Sequence, residues 1–311
     1  MPTISVLIAT RNYAEYLREA IASVFGQTWT DYELIVVDDG STDATPATIA
    51  SFADPRLRSA RTVGIGTCAA RNLAISMARG EYLAFLDGDD IWLPTKLERQ
   101  LRLMRAHPAL GLVSTKRMLI SPDGGILRGS AVPQVRGDVF ESVLLSNPIC
   151  FSSAMVRRAC IDHVGGFRED LELAVDYELW LRLTRHYPAD AIEEVLVKYR
   201  TGHASLSSRA GDRLKSVLST IRRTVRHAQE PPIDGPTRVL ARTSTMRSLG
   251  FVHRENDPAG SIDWYLRAAR SDGRWFATVR SIVGTLKVWL SHRWHRTAGD
   301  RRTSGNAGVN R

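Results

Sequence analysis

Tyr82-Leu83-Ala84-Phe85-Leu86-Asp87-Gly88-Asp89-Asp90 is a short apolar run that ends in three carboxylates. A run of this length, bounded by turn residues, reads as a strand buried on both faces. In open α/β sheets, ligands gather at the carboxyl ends of such strands. Carboxylates crowded there repel one another unless positive charge lies among them. An oxygen-only donor set suits a hard divalent ion shared with a phosphate. A bare Asp-Gly-Asp turn is the plainer reading of the tetrapeptide alone.

The pattern recurs upstream. Glu33-Leu34-Ile35-Val36-Val37-Asp38-Asp39-Gly40-Ser41-Thr42-Asp43 is a second apolar run ending in paired carboxylates, and Ile4-Ser5-Val6-Leu7-Ile8-Ala9-Thr10-Arg11-Asn12 is a third run. Asn12 is placed to cap a helix whose apolar face is Tyr13, Leu17, Ile21 and Val24. Ala69-Ala70-Arg71-Asn72-Leu73-Ala74 reads as a helix carrying a cation. Strand ends thus offer carboxylates for a ribose, a base edge and a metal, with Arg71 available for phosphate charge.

These residues resemble family 2 glycosyltransferases of the GT-A fold. The resemblance rests on Ala9-Thr10-Arg11-Asn12, the Val-Val-Asp-Asp-Gly-Ser-Thr-Asp run, Ala70-Arg71-Asn72 and Phe85-Leu86-Asp87-Gly88-Asp89-Asp90. Val164-Gly165-Gly166-Phe167 and Asp176-Tyr177-Glu178-Leu179-Trp180-Leu181-Arg182 continue it, over roughly residues 2–208. Each motif is weak singly, and their order and spacing are specific.

The resemblance implies an inverting transfer of a sugar from a nucleoside diphosphate donor to an acceptor hydroxyl, with Mn2+ or Mg2+ as cofactor. Asp89 is then the metal ligand, and Asp87 faces the ribose or reaches the metal through water. Asp90 is equally a site acid or a turn residue, and Asp38 points toward the sheet. Thr10 and Arg11 line the donor site. Asp39 accepts from the ring N–H of uracil or thymine, which favours a UDP-linked donor. Arg11 departs from the aromatic residue frequent in relatives, although a guanidinium also stacks on a base. Arg71 meets the diphosphate, its plainer role being a surface ion pair. Asp176 is the implied general base. An ordinary first-turn carboxylate is the competing reading, with Glu172 and Glu178 as fallback bases. Relatives usually carry Glu where Val175 stands. His203, one position late in the relatives' Arg-x-His stretch, is a second metal ligand or a loop histidine.

The net charge of +9 is unevenly placed: residues 231–311 hold 14 Lys and Arg against 6 Asp and Glu, and the first 230 hold 28 against 27. Glu230-Pro231-Pro232-Ile233-Asp234-Gly235-Pro236 reads as a linker. The expected organisation is a catalytic domain over 1–230, with a nucleotide-sugar half to about 115 and an acceptor half from about 116. A basic helical extension, 231–311, should follow, helical over 237–249, 261–271 and 275–292 with a disordered end. The sheet is expected to be mostly parallel and flanked by helices. Pro94 suits the first turn of a helix with Leu93, Leu97, Leu101 and Met104. Strands are expected at 111–115, 118–120, 149–156 and 191–200, with a hairpin turn at 122–125.

Cys68, Cys150 and Cys160 have no metal-type spacing and read as reduced thiols of a cytosolic protein. No signal peptide is apparent, and no apolar run nears the ~18 residues of a membrane span. Residues 274–294 carry Trp275, Val279, Ile282, Val283, Leu286, Trp289 and Leu290 beside Arg and Lys. That stripe suits either packing on the domain or an anionic membrane surface, consistent with a saccharide or lipid-linked acceptor and peripheral attachment at the inner membrane face. Nucleic acid is disfavoured, because no reading module accompanies the charge.

Other functions compete. Gly64-Ile65-Gly66-Thr67-Cys68-Ala69 matches a dinucleotide fingerprint, but what precedes it is polar rather than a buried first strand. A nucleotidyltransferase should show a glycine-rich basic loop after its first strand, and Ala9–Tyr13 has no glycine. A sugar-nucleotide binder without catalysis stays open because of Val175.

Overall fold

The computed structural model describes residues 1–127, 134–203, 210–226, 233–253, 257–275, 277–283 and 285–286. They fall into two compact units, Met1–Ser208 and Arg209–Arg311. The boundary expected at 230/231 thus lies at 208/209. The physical reason is helix α8 (Ala210–Arg226), which packs on α9 (Gly235–His253) and so belongs with the second unit. Of the expected linker, residues 230–232 lie outside the described residues, and Gly235 and Pro236 open α9.

The first unit is built on an eight-stranded sheet in the order β3-β2-β1-β4-β7-β6-β8-β5. Strands β1 (Ile4–Thr10), β2 (Tyr32–Asp38), β3 (Leu57–Arg61) and β4 (Tyr82–Phe85) are parallel to one another. Their crossovers are α1 (Ala14–Phe25), α2 (Thr45–Ala50) and α3 (Thr67–Met77). Every residue of β2 and β4 is buried, as unbroken apolar runs require when both faces are covered. The register sets Thr10 opposite Asp38 and Leu7 opposite Phe85, so the chain leaves three adjacent strands at one edge. That edge is where the acidic residues stand.

Beyond β4 the sheet is mixed. β7 (Met155–Arg157) runs antiparallel between β4 and β6 (Leu112–Ile120). β8 (Ala189–Arg200) is parallel to β6 and carries β5 (Ile91–Trp92) at the far edge. The two strands expected at 111–120 are therefore one, with its irregularity between Thr115 and Arg117. The run at 149–156 is a tight turn, Phe151–Ser153, followed by the short β7. Helix α4 (Lys96–Ala106) buries Leu97, Leu101 and Met104, while Leu93 precedes it. Helices α5 (Phe140–Ser146), α6 (Arg158–Val164) and α7 (Val175–His186) complete the unit.

Asn12 does not cap α1. Its backbone is left-handed, with φ +58°. Its Oδ1 accepts instead from the Thr42 N–H at 2.8 Å. The start of α1 is tied by the loop after β2, where the Tyr13 N–H donates to Thr45 Oγ1 and the Ala14 N–H to Asp43 Oδ2. Tyr13 therefore precedes the helix rather than joining its buried face of Leu17, Ala20, Ile21 and Val24.

In the second unit α8, α9 and α10 (Pro258–Asp272) pack around Leu218, Met246, Leu249 and Ala268. Gly250 lies so close to the Tyr265 ring that a Cβ would stand 2.8 Å from it. Residues 277–283 and 285–286 are helical with an inverted face. Thr278 and Thr285 are buried, whereas Trp275, Val279, Val283 and Leu286 are 48, 56, 44 and 41% exposed. The Thr285 hydroxyl lies 3.2 Å from that of Ser261. Trp289 and Leu290, also read into the stripe, lie outside the described residues. Among the described residues, no helix is long and apolar enough to cross a membrane.

Candidate active site

The Asp87–Asp90 segment spans from β4 in the middle of the sheet to β5 at its edge, and every neighbour bears on its charge. Oxygens of Asp87, Asp89 and Asp90 lie within 4.8 Å of one another. Arg71, on α3, donates to Asp87 Oδ1 at 2.8 Å and lies 3.9 Å from the Phe151 ring centroid. It is thus neither a surface ion pair nor a free cation, but a half-sandwiched counter-charge for Asp87. His203 Nε2 lies 2.8 Å from Asp89 Oδ2, with both side chains largely buried. Ser152 knits the segment: its Oγ accepts from the Asp87 N–H at 3.0 Å and donates to Asp90 Oδ2 at 2.5 Å. The Arg200 N–H donates to Asp90 Oδ1 at 2.9 Å. Asp90, 1% exposed, is consequently held from inside.

Burial and like charge set the electrostatics. Burial first, opposed by Arg71 and reinforced by Asp89, pushes Asp87 up to about 6. Asp89 is also raised by burial, with His203 opposing. Burial and then the other two acids hold Asp90 well above the ordinary carboxylate range. Tyr13 is raised too, by burial and then by Asp89 and Asp87, which places its phenol on the same cleft. Its ring and that of Tyr16 flank His203 at 5.9 and 5.1 Å.

The donor set fits a hard divalent cation. Asp89 and Asp87 offer carboxylate oxygens, and burial raises their proton affinity in a way a cation would reverse. His203 meets this cluster through Nε2, on Asp89 Oδ2, while its buried Nδ1 has no hydrogen-bond partner. Asp90 has each oxygen already accepting one protein hydrogen bond and is the weaker candidate ligand.

The remaining predicted donor residues form a rim. Thr10 packs against Gly88, where a Cβ would come 2.9 Å from Thr10 Oγ1, a buried atom without a partner. Arg11 is exposed and lays its guanidinium against Gly64. Asp39 accepts from Thr62 Oγ1 at 2.5 Å, the Ile65 N–H at 2.7 Å and the Gly66 N–H at 2.9 Å. It therefore braces the 62–66 loop, and its Oδ2, with one bond, keeps room for a ligand N–H. Gly40 makes this possible: φ is +72°, and a Cβ would lie 2.7 Å from the Gly64 N. Asp38 is buried and accepts from the Ser41 N–H at 2.9 Å.

Asp176 opens α7 and is half-buried, close enough to Asp87 to raise that acid's proton affinity. Asn147 Nδ2 donates to its Oδ2 at 3.3 Å. Glu178 is no rival base, since its carboxylate grips Arg182, which also donates to the Val164, Gly165 and Gly166 carbonyls. Glu172 is exposed. Val175 is 7% exposed and sits in the core. The contributions of Ser152, Tyr16 and Asn147 carry no sequence signal, because each depends on a partner distant in the chain.

The glycine fingerprint at 64–69 follows β3, a half-exposed edge strand, and serves as the loop held by Asp39. A model described as glycosyl transferase family 2 matches residues 5–163. The chain belongs to this family. An uncharacterized glycosyltransferase of Methanocaldococcus jannaschii is 31% identical over 207 residues, covering 64% of this chain and 71% of that one. A chondroitin synthase of Pasteurella multocida is 30% identical over 187 residues, 59% of this chain and 19% of that longer protein. Among solved structures, S. aureus TarS 1-349 in complex with UDP-GlcNAc aligns over 95% of this chain and 92% of its own, with TM-score 0.64 and 17% identity. The mannosyltransferase PcManGT of Pyrobaculum calidifontis, in complex with GDP-Man and Mn2+, aligns over 95 and 83%, with TM-score 0.62 and 18% identity. The fold of this glycosyltransferase is accordingly of the GT-A type.

The raised acids predict a sign for the pH dependence of stability. A carboxyl whose folded affinity for protons exceeds its unfolded one destabilises the fold as pH rises through that interval. Metal-free protein should therefore gain stability between about pH 7 and pH 5, the window set by Asp87 near 6. Asp90→Asn should show a smaller gain. Denaturant unfolding in EDTA compares the two, and equal slopes would contradict the electrostatic account.

Proposed function

We propose that this glycosyltransferase moves a sugar, with inversion, from a nucleoside diphosphate donor, UDP-linked by preference, to an acceptor hydroxyl. The observation that carries the reading is the meeting of two acidic groups in one cleft. The Asp87–Asp89–His203 cluster suits a cation and a diphosphate, and Asp176 lies within electrostatic reach of Asp87.

The residues divide the work by position. Thr10, Arg11 and Asp39 hold the nucleoside, with Asp39 Oδ2 accepting a ring N–H and Arg11 lying against the base. Asp87, fixed by Arg71, faces the ribose. A divalent cation, Mn2+ or Mg2+, held by Asp89 and His203 would supply charge to offset the departing diphosphate. Asp176 takes the proton of the acceptor hydroxyl as its oxygen attacks the anomeric carbon. A base on the face opposite the leaving group gives inversion.

Product analysis separates this reading from its rivals. A glycosyltransferase releases nucleoside diphosphate, a nucleotidyltransferase releases pyrophosphate and a binder releases neither. Asp176→Asn keeps the shape and removes the proton acceptor, so transfer should fall by roughly 10²–10⁴ while donor affinity stays constant. Near-normal transfer would return Asp176 to a helix-end carboxylate.

We further propose a saccharide or lipid-linked acceptor, cell-envelope polysaccharide or glycolipid synthesis, and peripheral attachment at the cytoplasmic membrane face. Support comes from the outward apolar face of Trp275, Val279, Val283 and Leu286, with exposed Arg274 and Arg280 beside it. Apolar residues with flanking cations suit an interface of anionic lipid. V279E/V283E should abolish co-sedimentation with anionic vesicles, and salt should weaken it for the unchanged protein. Equal partitioning of the two proteins would overturn the attachment.

A further inference from the structure

Three residues other than glycine have left-handed backbone among the described ones: Asn12, Asn147 and Ala174. Asn12 stands beside the donor loops, and the other two flank Asp176. Asn147, φ +31°, closes the C-terminal end of α5, its N–H donating to the Val143 carbonyl at 3.1 Å. Ala174, φ +56°, immediately precedes α7. Residues with a Cβ seldom adopt this conformation, and its persistence requires the surroundings to enforce it. Here the enforcement is visible. The Tyr177 hydroxyl donates to the Leu144 carbonyl at 2.8 Å, locking the last turn of α5 onto the first turn of α7.

The product of this arrangement is one contact, from the carboxamide of Asn147 to the carboxylate of Asp176. Its orientation is chemically determined. Turned over, the amide would set its oxygen against a carboxylate that only accepts. Asn147 Oδ1 meanwhile is buried without a partner, so the amide satisfies Asp176 rather than itself. Its N–H occupies Asp176 Oδ2. Among the described residues, Asp176 Oδ1 has no hydrogen-bond partner, and it is the oxygen left for a proton.

We infer that Asn147 is a positioning residue for transfer, acting through Asp176 by fixing which carboxylate oxygen receives the acceptor's proton. This rests on the reading of Asp176 as the base. In the step it serves, the acceptor O–H proton goes to Asp176 Oδ1 and the acceptor oxygen bonds the anomeric carbon. The bond from that carbon to the diphosphate oxygen breaks, and its electron pair leaves with the diphosphate. Val175, buried beside Asp176, offers no hydrogen bond that could orient the carboxylate instead.

The test is a double-mutant cycle on the full chain, with kcat from nucleoside diphosphate release and donor Kd from titration. Asn147→Gly keeps the left-handed backbone and removes the amide. It should lower kcat roughly ten- to a hundred-fold, the scale of a misplaced catalytic group, with donor Kd unchanged. In the Asp176→Asn background the same change should cost nothing further, because residues that act as a unit are not additive. Asn147→Asp, tolerant of the same backbone but unable to donate to a carboxylate, should also lower kcat. Equal losses from Asn147→Gly in both backgrounds, or normal turnover by both Asn147 variants beside a crippled Asp176→Asn, overturns the positioning role alone. Full activity in Asp176→Asn overturns the base reading, and the positioning role with it.

Discussion

Mutual repulsion among Asp87, Asp89 and Asp90 is the constraint around which the first unit is arranged. Three carboxylates at the end of a fully buried strand would be intolerable in apolar surroundings. Each is met by a different device. Arg71 supplies a fixed charge to Asp87, His203 an imidazole partner to Asp89, and Ser152 with the Arg200 N–H a pair of hydrogen bonds to Asp90. These partners come from α3, the segment after β8, the 151–153 turn and β8 itself. Satisfying one acidic loop thus ties both halves of the sheet together.

Arg200 shows how far this reaches. Its side chain is 1% exposed. It donates to the Asp89 carbonyl at 2.9 Å, the Pro122 carbonyl at 2.6 Å and Glu19 at 3.1 Å, and lies 4.6 Å from the Tyr16 ring centroid. The strand end that carries His203 is thereby anchored to the acidic loop and to α1. A further brace, Asp39 against the 62–66 loop, holds the rim beside it.

Much of this was legible in the chain. Apolar runs ending in carboxylates marked β1, β2 and β4 and their common edge, because burial on both faces leaves continuous hydrophobic sequence. The motifs of Asp89, Asp176 and their neighbours suggested the family. What escaped notice depended on long-range partners. Arg71 read as a cation for phosphate or a surface ion pair because Asp87, its carboxylate partner, lies sixteen positions on, and Asn12 read as a cap although the 41–45 loop does that work. The domain boundary was misjudged because Pro231-Pro232 is a stronger local signal than the packing of α8 on α9. The stripe at 275–286 was visible as a stripe, but periodicity does not say which face turns outward. Here the threonines are inside.

Central to the account is that the acidic loop meets a diphosphate only with a cation between them. Calorimetric titration of UDP into the protein, with Mn2+ and then with EDTA, addresses this directly. The account predicts binding in Mn2+, none of comparable strength in EDTA, and loss of the difference in Asp89→Ala. Equal UDP affinity with and without the cation would contradict it.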